Sequence, residues 1–268
     1  MFTAFRKLEQ LLRGEATALP NLAGDRFDLP VGSLSFVLTL LGMIYGACMG
    51  VFSVTKAGSG QSMQIVASTV KTPALFLATL VVTFPSLYVF NAMFGSRLRL
   101  LPMLRLMIGS LAVTLAVLSS IGPIVAFFSV SSTSYAFMVL LNVVVFGLAG
   151  VLGLGFLLQT LHRMDLAGRE PTPADLEFQA AKDAAVSGEG GPALPPPLKK
   201  PDGRPTSGSV WGGFKIWVLV FGLVGLQMAW VLRPFIGSPG KEFTWFRPIG
   251  GSVFESIGMQ LRTLFGMH

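Results

Sequence analysis

The side chains that could carry out acid–base, nucleophilic or metal chemistry are few and scattered in this sequence. It has two histidines, His162 and His268, and one cysteine, Cys48. A metal site needs several ligands that converge, and a Ser-His-Asp arrangement needs a histidine beside a carboxylate. His162 and Asp165 could face each other across a helical turn, although such a pair at a helix end is more often a solvated ionic edge. We therefore predict no enzyme activity, no catalytic residue, no cofactor and no metal site.

The most structured polar stretch is LRPFIGSPGKEFTWFRP, residues 232–248, with two Arg-Pro pairs, a Gly-Ser-Pro-Gly turn and an aromatic run. These residues could form a binding loop, in which Arg233, Trp245 and Arg247 would contact a partner. They are also typical of a cap where a membrane helix meets water, because basic and aromatic side chains concentrate at that interface. We predict an interfacial cap, and the same three residues are our first candidates for an interaction site.

Polar residues and prolines inside the long apolar segments are the remaining candidates. Asn91 and Asn142 carry amides, and Pro85 and Pro123 each remove a backbone hydrogen bond. Such a proline can open a cavity in a bundle or simply bend a helix to fit it. We expect no ionisable residue in the middle of a span, where it would mark an ion path or a proton relay. This expectation argues against a proton-coupled or sodium-coupled transporter.

The segments that must position these residues consist mostly of apolar residues. The 268-residue chain is 52% hydrophobic and 12% charged, and its mean hydropathy is +0.67. Because about a quarter of the residues in a soluble domain are charged, the sequence predicts an integral membrane protein. The net charge of +7 comes from basic residues beside apolar runs, where they act as topology signals and anchors for acidic headgroups. We expect the lipid bilayer and anionic lipid headgroups as partners, and no nucleic acid.

Five segments are long and apolar enough to cross a bilayer, which takes about 20 residues of helix. The polar turn SVSSTS, residues 129–134, divides the longest uncharged window into two spans. The predicted spans are approximately 34–54, 73–94, 106–128, 135–161 and 214–232. In this interpretation Lys71 lies in the loop that precedes the second span.

The predicted fold class is an all-α membrane protein, a bundle of five transmembrane helices with interfacial amphipathic helices at the N and C termini. Both terminal helices are predicted from apolar residues at helical spacing. The linker is predicted because EGGPALPPPLKKPDGRPTSGS is too rich in Pro, Gly and charge to bury a core. The predicted units are an N-terminal interfacial segment (1–29), a four-helix membrane domain (30–161), a flexible cytoplasmic linker with a short helix (162–209), a fifth transmembrane helix (210–234) and a C-terminal interfacial tail (235–268).

The distribution of basic residues predicts the orientation. Most Lys and Arg lie in the N-terminal segment, in the short loop around residues 97–105 and in the long linker. The positive-inside rule places these segments in the cytoplasm. With five spans the C-terminus is then periplasmic, and we expect a multi-pass protein of the bacterial inner, or plasma, membrane.

Two glycine patterns predict close helix packing. In LGMIYGACMG, Gly42, Gly46 and Gly50 recur every four residues on one helix face. Small residues at this spacing let another backbone approach closely where lipid offers no hydrophobic drive. Gly147 and Gly150 in GLAGVLGLG form a similar but less regular set. The partner could be another span of the same chain, which is the commoner case, or a second copy.

Five spans with few charges and a cytoplasmic N-terminus resemble the Yip1-type membrane domain. That domain consists of five closely packed helices and occurs in eukaryotic trafficking proteins and in many uncharacterised bacterial proteins. KTPALFLATLVVTFPSLYVFNAMFGSRL, residues 71–98, is similar to its second span, and the likeness covers about residues 30–161. The tail VLRPFIGSPGKEFTWFRP resembles a segment of uncharacterised multi-span bacterial proteins. The long linker before span five and the sizeable tail depart from the Yip1 pattern.

The predicted function is that of a non-enzymatic scaffold or membrane-organising protein, as a homo-oligomer or as part of a membrane complex. The alternative is a small permease or channel for a neutral or lipidic solute. In that case Asn91, Asn142, Pro85 and Pro123 would line the path. A water-accessible cavity lined by these residues would favour the alternative, and a dry, close-packed bundle would count against it.

Overall fold

The computed structural model describes residues 2–14, 30–56, 62–93, 100–167, 207–237, 243–246 and 253–265. Within these ranges the chain forms seven helices and no strand. The helices are α1 (Phe2–Leu12), α2 (Val31–Lys56), α3 (Ser62–Met93), α4 (Leu100–Ser131), α5 (Tyr135–Ala167), α6 (Ser207–Val231) and α7 (Val253–Leu264). The predicted linker helix lies outside the described residues.

Four of these helices are long and apolar enough to cross a membrane. Their apolar windows are Val31–Thr55, Met63–Val89, Met103–Ser131 and Tyr135–Arg163. A helix of about 20 apolar residues spans the hydrocarbon core, so the chain is a multi-pass integral membrane protein. In α6 the apolar stretch is shorter, Lys215–Val231. Length therefore establishes four membrane-spanning helices, and the fifth needs a separate argument.

The start of α3 differs from the sequence prediction. The predicted second span began near Pro73, whereas α3 begins at Ser62 and runs through Pro73 and Pro85. Membrane helices tolerate internal prolines because neighbouring hydroxyls and helices satisfy the freed backbone groups. The prediction that Lys71 lies in a loop is therefore wrong, because this residue lies within a membrane-spanning helix.

The central element of the bundle is α2, which packs against α1, α3 and α4. Its buried side chains recur every three or four residues, so they form one face of the helix. They are Leu34, Val37, Leu38, Leu41, Tyr45, Met49 and Phe52. The short helix α1 buries Leu8 and Leu11 against this bundle. Further contacts join α4 to α5, α3 to α6, and α5 to α6 and α7, and smaller ones join α1 to α4, α3 to α4 and α6 to α7.

The glycine face of α2 lies directly against α3. A Cβ atom at Gly50 would lie 2.8 Å from the Cα of Ile65, and one at Gly46 would lie 2.9 Å from the Cα of Thr69. At Gly42 the nearest atom would be the Cβ of Pro73, at 3.0 Å. Because backbone atoms cannot move aside as the end of a side chain can, the α2–α3 contact requires glycine at positions 46 and 50. Here these glycines serve packing within one chain.

The glycines of α5 behave differently from one another. A Cβ atom at Gly147 or Gly150 would meet nothing within 4 Å, so neither glycine mediates a close contact within the described chain. Gly153, one turn further on, packs against α4. A Cβ there would lie 3.1 Å from the Cβ of Thr114, and the Gly153 carbonyl oxygen accepts a hydrogen bond of 2.8 Å from the Ser110 hydroxyl.

The helix α6 lies beside α3 and runs in the opposite direction. Near the start of α3, the Gln64 amide donates to the carbonyl oxygen of Pro234, just after α6, at 3.1 Å. Near the start of the apolar stretch of α6, the Trp217 indole donates to the Ser86 hydroxyl at 3.0 Å. The part of α3 between these contacts, residues 64–86, extends over about 33 Å at the α-helical rise. This is close to the thickness of the hydrocarbon core, about 30 Å.

We expect Gly46→Ala to destabilise the bundle, because the new methyl group would have to push the backbones of α2 and α3 apart. Overpacking of this kind costs about 1–3 kcal/mol. The matched control is Gly147→Ala, which adds the same methyl group to an open position and should be neutral or slightly stabilising. Thermal unfolding in a mild detergent measures both, and equal unfolding temperatures for the two variants would contradict the close contact.

Candidate functional site

One face of α3 carries three buried hydrogen-bond donors. Gln64, Ser68 and Lys71 are separated by four and three residues, which places them on the same side of the helix. Their exposed fractions are 2%, 0% and 3%. We call these three residues the donor face of α3. An ionisable side chain buried in a membrane-spanning helix is a candidate functional residue by default. Lys71 lies toward the N-terminal end of the apolar window Met63–Val89, so it does not test the expectation of no ionisable residue in the middle of a span.

The donor face holds the segment that follows α6. We call the described part of this segment, residues 232–237 and 243–246, the C-terminal cap. The Lys71 ammonium donates to the carbonyl oxygen of Pro234 at 3.1 Å and also to that of Trp245. Gln64 donates to the same Pro234 oxygen, and the Ser68 hydroxyl contacts the carbonyl oxygen of Phe235. From α2, the Ser53 hydroxyl accepts a hydrogen bond of 3.1 Å from the Gly237 amide.

These bonds satisfy backbone groups of the segment that follows α6. The backbone that follows the helix is irregular, and in a membrane protein such backbone is tolerated only where protein groups satisfy it. Pro234, Ile236 and Gly237 are buried, so bulk water is not their partner. Lysine suits this role because its ammonium group has three donors, and a cation is favoured near a helix C-terminus.

Aromatic rings of the cap cover the Lys71 ammonium. The Nζ atom lies 5.0 Å from the ring centroid of Phe246 and 6.0 Å from that of Trp245, within the range of cation–π attraction. Phe243 meets the Trp245 ring edge-on at 5.7 Å. Trp245 and Phe246 nevertheless keep 43% and 59% of their surface exposed. The cap therefore presents aromatic side chains outward while its backbone is held from inside.

Arg233 is at the beginning of the cap, and its peptide bond to Pro234 is cis. Its guanidinium group lies 3.6 Å from the centroid of the Trp230 ring, a stacked position in which the cation is attracted by the ring. The structure thus brings two predicted interaction residues, Arg233 and Trp245, into the same cap. The third, Arg247, lies outside the described residues.

Asn142, a predicted cavity residue, is instead part of a second buried polar contact. The Tyr45 hydroxyl donates to its side-chain oxygen at 2.8 Å, and its amide donates to the Met138 carbonyl at 2.8 Å. Phe146 packs edge-on against the Tyr45 ring at 5.3 Å. This contact joins α2 to α5 across the interior of the bundle, so the amide of Asn142 contributes to helix packing.

The two other predicted cavity residues that the structure describes, Pro85 of α3 and Pro123 of α4, lie on different helices and face outward. The side chain of Asn91 lies outside the described residues. A groove of about 420 Å³ opens between α5 and α6, lined by leucine, valine and glycine together with Lys215. None of the predicted cavity residues lines this groove.

Two other chemically capable side chains, Cys48 and His162, lie on different helices. Cys48 is half-buried in α2, and His162 is exposed near the end of α5. In the part of the chain that the structure describes, no three His, Cys, Asp or Glu side chains come together as a metal site would require. The sequence interpretation did not identify the donor face. Its three residues are spaced by four and three positions in QIVASTVK, residues 64–71, but the predicted helix began after them, near Pro73.

No protein-family model matches this chain, and neither a curated protein nor a solved structure matches it. Its function is therefore inferred from the geometry of the described residues.

We expect Lys71→Met to loosen the C-terminal cap, because methionine keeps the apolar stem but leaves the carbonyls of Pro234 and Trp245 without this donor. Buried groups that lose a hydrogen-bond partner cost about 1–3 kcal/mol. A cysteine at Ile236, which is 5% exposed, reports on the cap when Cys48 is replaced by alanine. Maleimide should label Ile236→Cys faster when residue 71 is methionine.

The matched control for this experiment is Lys7→Met, which removes a lysine from the exposed face of α1. It should leave the labelling rate of Ile236→Cys unchanged. If Lys71→Met and Lys7→Met gave the same labelling rate, Lys71 would not be what holds the cap.

Proposed function

We propose that this chain is a non-enzymatic scaffold or membrane-organising protein of the bacterial inner membrane, and that its C-terminal cap is the surface that binds a partner. The observation that carries the proposal is the way the cap is held. A buried lysine and two polar side chains of α3 hold its backbone, while Trp245 and Phe246 remain exposed. Rigidly held aromatic side chains are favourable binding anchors, because little conformational freedom is lost when a partner covers them.

The use of polar groups inside the bundle supports a scaffold over a permease. Tyr45 bonds to Asn142, Ser110 bonds to the Gly153 carbonyl, and Trp217 bonds to Ser86. Each of these contacts joins two helices, so the polar groups fix the arrangement of the bundle. A path for a solute would instead need polar groups that face a shared space. Nothing in the described geometry favours the permease alternative.

We also propose that α6 is a fifth membrane crossing and that the chain has a cytoplasmic N-terminus and a periplasmic C-terminal cap. The antiparallel contact between α6 and α3 supports the crossing, because it extends over about the thickness of the hydrocarbon core. The end of α6 lies beside the start of α3 and near Ser53 in the last turns of α2. The cap is thus on the opposite side of the membrane from the start of α2, as five crossings require.

The resemblance to the Yip1-type membrane domain belongs to the same proposal. Helices α2 to α5 pack as neighbours around α2 and α4, which is compatible with a Yip1-like domain at residues 30–161. The roles proposed for α1 and α7 are those of interfacial helices. The apolar side chains Phe254, Met259 and Phe265 of the α7 region are exposed, as a helix lying on a membrane surface requires.

Cysteine labelling in intact cells tests the topology. In a background with Cys48→Ala, we expect Thr244→Cys in the cap to react with a maleimide that does not cross the inner membrane. The control, Lys7→Cys in α1, should react only after the membrane is made permeable. Both positions are exposed in the structure. Labelling of both cysteines from the same side would contradict a fifth crossing.

Photo-crosslinking in cells tests the partner-binding role. A photoreactive phenylalanine analogue at position 245 or 246 should give discrete protein adducts, either with a second copy or with another membrane protein. The matched control is position 151, since Val151 is 70% exposed but lies within a membrane span. Absence of adducts at the cap, or identical adducts at position 151, would count against the proposal.

A further inference from the structure

The groove between α5 and α6 has a lining that is apolar along its length and basic at one end. Its α6 wall is a single helical stripe that includes Lys215, Val218, Gly222 and Leu226, and Leu154 of α5 lies on the other side. The spacing of three or four residues places these side chains one above another. Lys215 is exposed and lies at the end of the apolar stretch Lys215–Val231.

Gly222 of α6 and Leu154 of α5 lie next to each other in this groove. A Cβ atom at Gly222 would lie 3.6 Å from the Cδ1 atom of Leu154, which is ordinary van der Waals contact. A larger side chain would therefore fill the space between the two helices. Leu219 and Leu223 also line the groove and remain exposed, so the groove opens toward the surroundings of the bundle.

The dimensions of the groove match one leaflet of a bilayer. From residue 215 to residue 226 the α-helical rise gives about 16 Å, which is roughly half of the hydrocarbon core of about 30 Å. The groove thus starts at a cation near one membrane surface and ends near the middle of the membrane. This is the arrangement of a phospholipid, whose headgroup lies at the surface and whose acyl chain reaches the midplane.

We infer that this groove binds one anionic phospholipid, with an acyl chain against Gly222 and Leu154 and the headgroup phosphate at Lys215. The charge of Lys215 favours an anionic over a zwitterionic headgroup, because basic residues at the membrane surface attract acidic lipids. The inference rests on the proposed crossing by α6, and it is independent of the scaffold role of the cap.

Native mass spectrometry of the full-length chain tests the site. The protein is released from bilayers that contain equal amounts of phosphatidylglycerol and phosphatidylcholine. We expect the wild-type chain to retain one phosphatidylglycerol in preference to phosphatidylcholine. Lys215→Gln should reduce this preference about fivefold, the effect of one basic residue at a membrane surface. Arg163→Gln removes an exposed cation that does not line the groove, and it should reduce the preference less than Lys215→Gln does.

A second pair of variants tests the apolar part of the groove. Gly222→Leu should abolish retention of the lipid, whereas Gly150→Leu, at a position with nothing within 4 Å, should not. An unchanged unfolding temperature shows that the Gly222→Leu variant is folded. If that variant does not fold, Lys215→Gln at the exposed end of the groove still tests the site.

Several results would overturn the inference. These are equal retention of the two lipids by the wild-type chain, an unchanged preference in Lys215→Gln, retention by Gly222→Leu, and a lipid-free dimer whose formation depends on Gly222. The labelling of Thr244→Cys separates a failure of the proposed crossing by α6 from a failure of the lipid site. If Thr244→Cys is labelled from outside and the lipid is not retained, the crossing by α6 stands and the lipid site is wrong.

Discussion

Irregular backbone inside a membrane protein must find hydrogen-bond donors, and this requirement organises much of the structure. The chain leaves α6 with the carbonyl groups of Pro234, Phe235 and Trp245 turned toward α3. The donors come from Gln64, Ser68 and Lys71, so α3 has to begin early enough for these residues to be helical. Since the Ser53 hydroxyl of α2 also accepts a hydrogen bond from the Gly237 amide of the cap, the close glycine contact between α2 and α3 helps to bring both helices to the cap.

A lysine in this position combines two kinds of interaction. Its ammonium group bonds to carbonyl oxygens, and hydrogen bonds that involve a charged group contribute about 1.5–3 kcal/mol. The same group is covered by the rings of Trp245 and Phe246, whose faces attract cations. Carbonyl dipoles and aromatic faces together replace part of the hydration that the ammonium loses on burial. Structural stability and the outward presentation of the aromatic side chains therefore have the same physical origin.

The sequence predicts the features of this structure that depend on residues close together in the chain, and it does not predict those that depend on distant residues. Three of the four long spans follow from uncharged apolar runs, and the fourth, α3, is recognised from its apolar part after Pro73. The glycine spacing at 42, 46 and 50 marks a close-packing face. The burial of Lys71 could not be predicted, because its partner Pro234 is 163 residues away in the chain and the internal Pro73 suggests a helix start. On α5 the sequence offers several equivalent glycines, and only tertiary contacts distinguish Gly153 from Gly147.

The dependence of Lys71 on the end of the chain has a consequence for biogenesis. Helices α2 to α5 are synthesised first, and during that time the groups that later cover the ammonium of Lys71 have not yet been made. A truncated chain that ends before residue 232 would carry this charge into the bilayer without the carbonyls and rings of the cap. The solvation of a residue in the second crossing thus depends on a segment that is synthesised only after α6.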